Sequence, residues 1–503
     1  MLTLPKKNLI ANFAGSIWVG LVSFIFIPLY LKYLGAEGYG LIGFQATLLG
    51  ILVILDLGFG SAGSREIAKL KSEGQSSESI NNLFVSLEIL FWGIATAIGV
   101  ALFLLSDVIY SYWLKVSETP QAVALKSIQL ICLTLVLQLP VSLYTGCLNG
   151  LQRQVTLNSI NVVLTTLRFG GAAFVAWFWG GNLIYFFLWQ LLVAGLNLLF
   201  LRWAVKQNLP KSNNTSFSFL EIKKVSKFAI GVSAINLFSL ILTQMDKILL
   251  SKILSLKDFG YYMLAWSVAG VIYRISVPVF NAVYPRLVEL SVNGQDDDLN
   301  TFYQKSTQLM ALLTIPFSLF LSFFAFEIIA LWTQDPEVSE KVYLSVVLLA
   351  LGTLFSALMQ LPYGLQLAKG WTQLSLNSNL IATFVLVPVL LFSTKALNMP
   401  ALAWLLLNLG YLVFVIRIMH SRILVGKAIE WYKSSLLAPI AISTAMLFFF
   451  KRLYSFFPSS GVPLQIFLLS LFGIMTFGVV AFFTPASKQE LKNLLLKSNP
   501  RKV

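Results

Sequence analysis

Apolar residues arrive in this chain in runs of about twenty or more, divided by short polar turns, almost from end to end. A run of that length crosses the roughly 30 Å hydrocarbon core of a bilayer as one α-helix. Helices also satisfy their own backbone hydrogen bonds where no water can. Composition agrees: 57% of the 503 residues are hydrophobic and 11% charged, against about 25% charged in a soluble globular chain. The fold class is therefore all-α, a polytopic membrane protein.

Fourteen spans can be laid out. The first six lie near 9–31, 39–62, 82–106, 124–147, 156–179 and 182–204. Six more lie near 228–251, 259–284, 303–332, 341–366, 372–393 and 399–420, and a last pair near 435–450 and 462–483. Polar, basic stretches interrupt the series at 206–227 and at 422–433. The expected organisation is an N-terminal lobe (1–205), a cytoplasmic linker (206–227), a C-terminal lobe (228–421), and a final region (422–503) with a basic linker, the last two spans and a tail.

The net charge of +15 would suggest nucleic acid as partner of a soluble protein. Here the basic residues gather at span ends, and no nucleic-acid partner is expected. With the N-terminus in the cytoplasm, about two thirds of the 36 Lys and Arg fall in cytoplasmic segments, as the positive-inside rule requires. An even number of spans then returns the C-terminus to the cytoplasm. Cys132 and Cys147 share one apolar stretch and His420 ends a span, so neither a disulfide framework nor a metal site is expected. There is no phosphate-binding Gly-x-x-x-x-Gly-Lys-Ser/Thr loop to suggest ATP as fuel, and no cofactor is expected.

The two halves resemble each other. An offset of 220 pairs Lys32 with Lys252, Leu34 with Leu254, Gly40 with Gly260, Gly50 with Gly270, Ala62 with Ala282 and Leu70 with Leu290. Six spans per copy is an even number, so both copies share one orientation, related by an axis along the membrane normal. Such a repeat suits a transporter whose two lobes enclose a central cavity.

Several words carry a family resemblance. They are Asn12, Pro28-Leu29-Tyr30, Tyr33-Leu34-Gly35-Ala36-Glu37-Gly38-Tyr39-Gly40 and Leu55-Asp56-Leu57-Gly58-Phe59-Gly60, with Gly150-Leu151-Gln152-Arg153 and Gln244-Met245-Asp246-Lys247 further on. They resemble the Wzx-type polysaccharide-biosynthesis flippases, in the superfamily that also holds the MATE drug exporters and lipid II flippases. Fourteen spans match the longer members. The resemblance implies a pair of six-helix bundles opening alternately to the two sides of a bacterial inner membrane. The substrate it implies is an oligosaccharide on undecaprenyl diphosphate, bound among membrane lipids, with a polysaccharide polymerase and a chain-length regulator as further partners.

Ionisable groups inside spans are costly and usually face a bundle interior or a water-filled cavity. Those here are Asp56, Glu88, Arg168, Asp246, Lys247, Arg274 and Glu327. A diphosphate calls for compact positive charge and planar donors. Arg168, Arg274 and Lys247 are accordingly the candidate cavity-lining, substrate-binding residues, the alternative being that each pairs with a neighbouring carboxylate to hold helices together. Neighbours on one helix point to different faces, so Asp246 is not expected to pair with Lys247. Arg65, Arg153 and Arg286, at cytoplasmic span ends, are candidates to gather the phosphate at the cytoplasmic mouth, or simple charge anchors. Asp56 and Asp246 are candidate coupling-ion or helix-pairing sites. Glu88 and Glu327 show no evident partner in sequence.

The expected function is therefore flipping of the lipid-linked sugar to the outer leaflet for surface polysaccharide synthesis, by alternating access and without enzymatic chemistry. Expulsion of an anion is favoured by the membrane potential by about 2.3 kcal/mol per charge per 100 mV. A MATE-like, cation-coupled drug exporter is the alternative, although the cationic balance of the intramembrane residues argues against it. A membrane-embedded glycan polymerase or glycosyltransferase is less favoured, because no catalytic constellation stands in the longest outer loop.

Overall fold

The computed structural model describes residues 4–55, 59–73, 76–212, 215–423, 428–457 and 461–483. Asp56, Asn213, Asn214, part of the second basic stretch and the tail from 484 lie outside these residues. The described chain is helical nearly throughout and packs as two compact units, Met1–Met263 and Leu264–Val503. The first contains α1 (Leu4–Ile25), α2 (Ile27–Leu55), α3 (Phe59–Ser72), α4 (Ser77–Leu104), α5 (Gln121–Gly150), α6 (Gln154–Phe178), α7 (Leu183–Asn208) and α8 (Phe219–Ile253). The boundary falls inside α9 (Leu256–Ala269). The second unit contains α10 (Val271–Val292), α11 (Asp296–Phe323), α12 (Ala325–Thr333), α13 (Pro336–Leu358), α14 (Gln360–Ala368), α15 (Thr372–Lys395), α16 (Ala401–Arg422), α17 (Ala438–Tyr454) and α18 (Val462–Phe483).

Among the described residues, 11 helices are long and apolar enough to cross a membrane, or up to 12 if a bent pair counts as one span. The expected fourteen is higher, and the difference lies in particular places. The first two expected spans run as a bent pair, Ala14–Ile25 and Ile27–Leu52, at 47°. Gly35, at φ 72 and ψ 175, interrupts the second of these helices, a conformation that glycine adopts without a Cβ clash. The seventh expected span lies in α8, where the side chains from 227 to 241 all fall outside the described residues.

Local sequence chemistry sets the helix ends. Asn182 caps α7, its side-chain oxygen accepting the N–H of Ile184 at 2.9 Å. Asp335 caps α13 in the same way through Glu337 at 2.9 Å, with Pro336 in the first turn. Both follow the preference for a short polar side chain at the N-cap and proline just inside. Buried hydroxyls within spans bond back along their own helices. Thr47, Thr134, Thr314 and Thr476 each donate to the carbonyl four residues earlier, at 2.7–2.9 Å, so none of these four hydroxyls is stranded in an apolar surround.

The 220-residue offset has a counterpart in packing inside the first unit. A Cβ on Gly40 would meet the Leu256 carbonyl oxygen at 2.2 Å, and one on Gly260 would meet the Ala36 carbonyl oxygen at 2.1 Å. Ala36 and Leu256 are themselves 220 apart, so the contact is reciprocal, as a two-fold relation produces. Only a residue without a side chain lets the backbones of α2 and α9 cross this closely.

In the second unit the last two helices are integral to the core. Phe450 of α17 and Phe472 of α18 stack at 4.5 Å between centroids and 9° between planes. Phe324, between α11 and α12, lies 6.1 Å from Phe472 and 5.9 Å from Tyr454. Leu319, Leu447 and Leu469 complete that part of the cluster.

Replacing Gly260 by Val should cost about 1–3 kcal/mol through overpacking. Gly40→Val should cost a similar amount, since the two contacts are equivalent. Thermal unfolding of the purified variants in detergent checks both, and two unequal losses would count against the reciprocal crossing.

Candidate functional site

Arg168 lies in the C-terminal half of α6, half-buried. Its Nε donates to Oε1 of Gln190 on α7 at 2.6 Å, and its guanidinium lies 5.9 Å from the centroid of the Phe169 ring. The backbone on either side is tied to neighbouring helices. Trp189 donates its indole N–H to the Leu167 carbonyl at 3.0 Å, and the Tyr30 hydroxyl donates to the Phe169 carbonyl at 2.7 Å. Among the described residues, no carboxylate pairs with Arg168.

Asp246 and Lys247 are both buried, at 2% and 9% exposure. Contrary to the expectation from helix geometry, they pair: Lys247 Nζ lies 3.3 Å from Asp246 Oδ1. The reason is reach. The lysine stem folds back so that Nζ also donates to the Thr243 carbonyl at 2.7 Å, which brings it beside a carboxylate that an aspartate's short stem holds near the helix. The Tyr262 hydroxyl donates to the other carboxylate oxygen at 2.6 Å.

Arg274 is exposed on α10. The same stripe of that helix carries Asn281 and Pro285, both exposed, at offsets that return to one face. Arg286 is paired with Glu289 at 2.6 Å, both about half exposed. Arg65 on α3 and Arg153, which precedes α6, are also exposed. The end of α5 meets the middle of α3: a Cβ on Gly150 would lie 2.4 Å from the Ser64 carbonyl oxygen. Asn8 reaches the same turn, donating to the Gln152 carbonyl at 3.3 Å. Arg65 and Arg153 thus flank the contact between α3 and the end of α5. Asp56 lies outside the described residues.

Three arrangements escaped the sequence reading. Glu88 on α4 takes the Arg202 Nε at 2.7 Å and the Tyr144 hydroxyl at 2.6 Å, tying α4, α5 and α7 together. Glu327 takes Lys451 Nζ at 2.6 and 2.8 Å, fastening α17 to α12. Both partners sit near span ends, where sequence reads them as ordinary interfacial cations. The third centres on Glu37, which is 2% exposed. Its carboxylate accepts the backbone N–H groups of Ser117, Glu118 and Thr119 at 2.6, 2.8 and 2.6 Å, and the Thr119 hydroxyl at 2.9 Å. The same segment reaches the α8–α9 turn. Leu256 N donates to the Lys115 carbonyl at 2.9 Å, Lys115 Nζ to the Ile253 carbonyl at 2.7 Å, and Lys257 Nζ to Glu118 at 2.7 Å. A strap therefore joins the first turns of α2 to the start of α9. A lone acid in the turn before the second expected span was the one cue in the sequence.

Apolar helices of spanning length that pair charges between them define a polytopic α-helical membrane protein. The sequence matches the family described as Polysaccharide biosynthesis protein over residues 6–291, and this chain belongs to that family. Residues 232–392 also match the MatE family. A Shigella flexneri protein named for O-antigen transport is 22% identical over 374 residues, covering 73% of this chain and 86% of that protein. In fold, the chain is similar to the lipid II flippase MurJ in an inward closed conformation, with a TM-score of 0.70, 16% identity, and coverage of 95% of this chain and 98% of that one. It is also similar to an inward-facing multidrug resistance MATE transporter of the MOP superfamily, with a TM-score of 0.67, 14% identity, and coverage of 83% and 96%.

Arg202→Ala leaves Glu88 buried without its cation. Because the Arg202 side chain is 41% exposed, the loss should be about 1–3 kcal/mol, below that of a fully buried pair. A double-mutant cycle with Glu88→Gln, read by thermal unfolding, should return a coupling of that order. Simple additivity would show that the pair contributes nothing.

Proposed function

We propose that this protein carries a polyprenyl-diphosphate-linked oligosaccharide from the cytoplasmic to the outer leaflet of a bacterial inner membrane, for surface polysaccharide synthesis. The observation that carries the reading is Arg168, a guanidinium within a span whose one hydrogen-bond partner among the described residues is an uncharged glutamine. Family membership, a relative named for O-antigen transport and the fold of a lipid II flippase all favour the same class of cargo.

In this reading Arg168 and Arg274 line the path of the diphosphate. An exposed arginine on a membrane-spanning helix is costly against lipid and tolerable against water, which favours a hydrated cavity for Arg274. Lys247 and Asp246 neutralise each other in this state, so they fit a coupling or switching pair better than a phosphate ligand. Arg65 and Arg153, flanking the contact between α3 and the end of α5, gather the phosphate at the cytoplasmic mouth. Arg286 is less suited, being held by Glu289. Both termini are cytoplasmic, and two six-span lobes, 1–205 and 228–421, alternate about the repeat axis. The inside-negative potential helps to expel the anion. A polysaccharide polymerase and a chain-length regulator would receive the product at the outer face.

Cation-coupled drug export is the second reading, favoured by the MatE match and the MATE-like fold. Deleting the protein in its native bacterium separates the two. Flipping predicts loss of surface glycan, with complete lipid-linked repeat units accumulating in the cytoplasmic leaflet. Normal glycan together with new sensitivity to cationic dyes would transfer the assignment to drug export. Complementing the deletion with Arg274→Ala should restore protein level but not export.

The strap from Trp113 to Thr119 would then close the outer end and release in each cycle. Lys115 and Ser255 stand opposite each other in a bridge, so cysteines at both positions should form a disulfide that halts export until a reductant is added. Undiminished export by the cross-linked protein would show that the strap stays shut during transport.

A further inference from the structure

A guanidinium binds a phosphate best when its planar fork is already aimed, because a free side chain loses rotamer entropy on every capture. Arg168 is held at two levels. The carbonyls before and after it are tied down by Trp189 and Tyr30, and its own Nε is tied to Gln190, which is 4% exposed. Engaging Nε occupies the side-on edge of the fork and leaves the end-on edge, the two Nη groups, for a ligand. Among the described residues neither Nη has a hydrogen-bond partner.

The chemistry of the partner is informative. Elsewhere two long basic side chains at the borders of spans are met by acids: Arg202 by Glu88 and Lys451 by Glu327. Those acids offset the positive charge. Glutamine accepts the same hydrogen bond at the same reach, yet leaves the charge of the arginine intact. A glutamate here would serve helix packing as well or better, since it would add a charge-assisted bond. Packing alone gives no reason for an amide at this position.

We propose that Gln190 is a positioning residue for the transported substrate: it aims the end-on edge of Arg168 at the diphosphate of a polyprenyl-linked sugar, and its neutrality keeps that charge available. This rests on the reading of Arg168 as a phosphate-facing cation. Tyr30 and Trp189 support it from the backbone side.

The test compares Gln190→Glu, Gln190→Ala and Arg168→Ala in purified full-length protein. Binding of undecaprenyl diphosphate in detergent is followed by tryptophan fluorescence, beside thermal unfolding of each variant. Gln190→Glu should unfold at the wild-type temperature or higher yet bind about tenfold or more weakly, because the new carboxylate takes over the guanidinium. Gln190→Ala keeps the charge but loses the aim, and should bind less well than wild type but better than Gln190→Glu. A purely structural role predicts the reverse order, with Gln190→Glu binding normally and Gln190→Ala the less stable. If Arg168→Ala loses binding while Gln190→Glu retains it, the positioning role is wrong and the arginine's role stands. If Arg168→Ala itself binds as wild type does, the reading of Arg168 falls, and the role of Gln190 with it.

Discussion

A charge in the hydrocarbon core has to be met by something, because the bilayer offers it no water. That constraint sorts this structure. Glu88 is met by Arg202 and Tyr144, Glu327 by Lys451, and Asp246 by Lys247 and Tyr262. Each of these groups joins helices while cancelling most of its own field. Arg168 is met by an amide instead. Under the proposed function, the contrast between neutralised and unneutralised charge separates Arg168 from Glu88 and Glu327 more sharply than burial does, since Glu88 is the more enclosed group.

The same constraint explains how the scaffold tolerates polar residues at all. Threonine hydroxyls within the spans bond to their own helix four residues back. The close crossing of α2 and α9 is carried by glycines rather than by interlocking side chains.

Helix class was plain from the sequence, since runs of that length and apolarity have one solution in lipid. Even the repeat left a physical trace, for one of the two glycine pairs related by the offset, Gly40 and Gly260, makes reciprocal carbonyl contacts. Less could be read where reach decides the outcome. Neighbours on a helix point apart, yet the lysine stem of Lys247 is long enough to return to Asp246. Arg202 and Lys451 looked like interfacial anchors because charge at a span end has that default use, and the acids they serve lie 114 and 124 residues away. Glutamines carry no charge signal, so Gln190 gave no hint of its position beside Arg168. Glu37 stood inside a recognisable word without suggesting that its carboxylate would gather three successive amides.

That last arrangement bears on how the chain is assembled. Glu37 enters the membrane with the first hairpin, but the amides it needs are 80 to 82 residues further along. Until α4 has been inserted and the segment beyond it delivered, the carboxylate has no amides to receive it and must stay hydrated at the interface. The contact that ties this turn to the strap can therefore form only after α4 and the segment beyond it have been made.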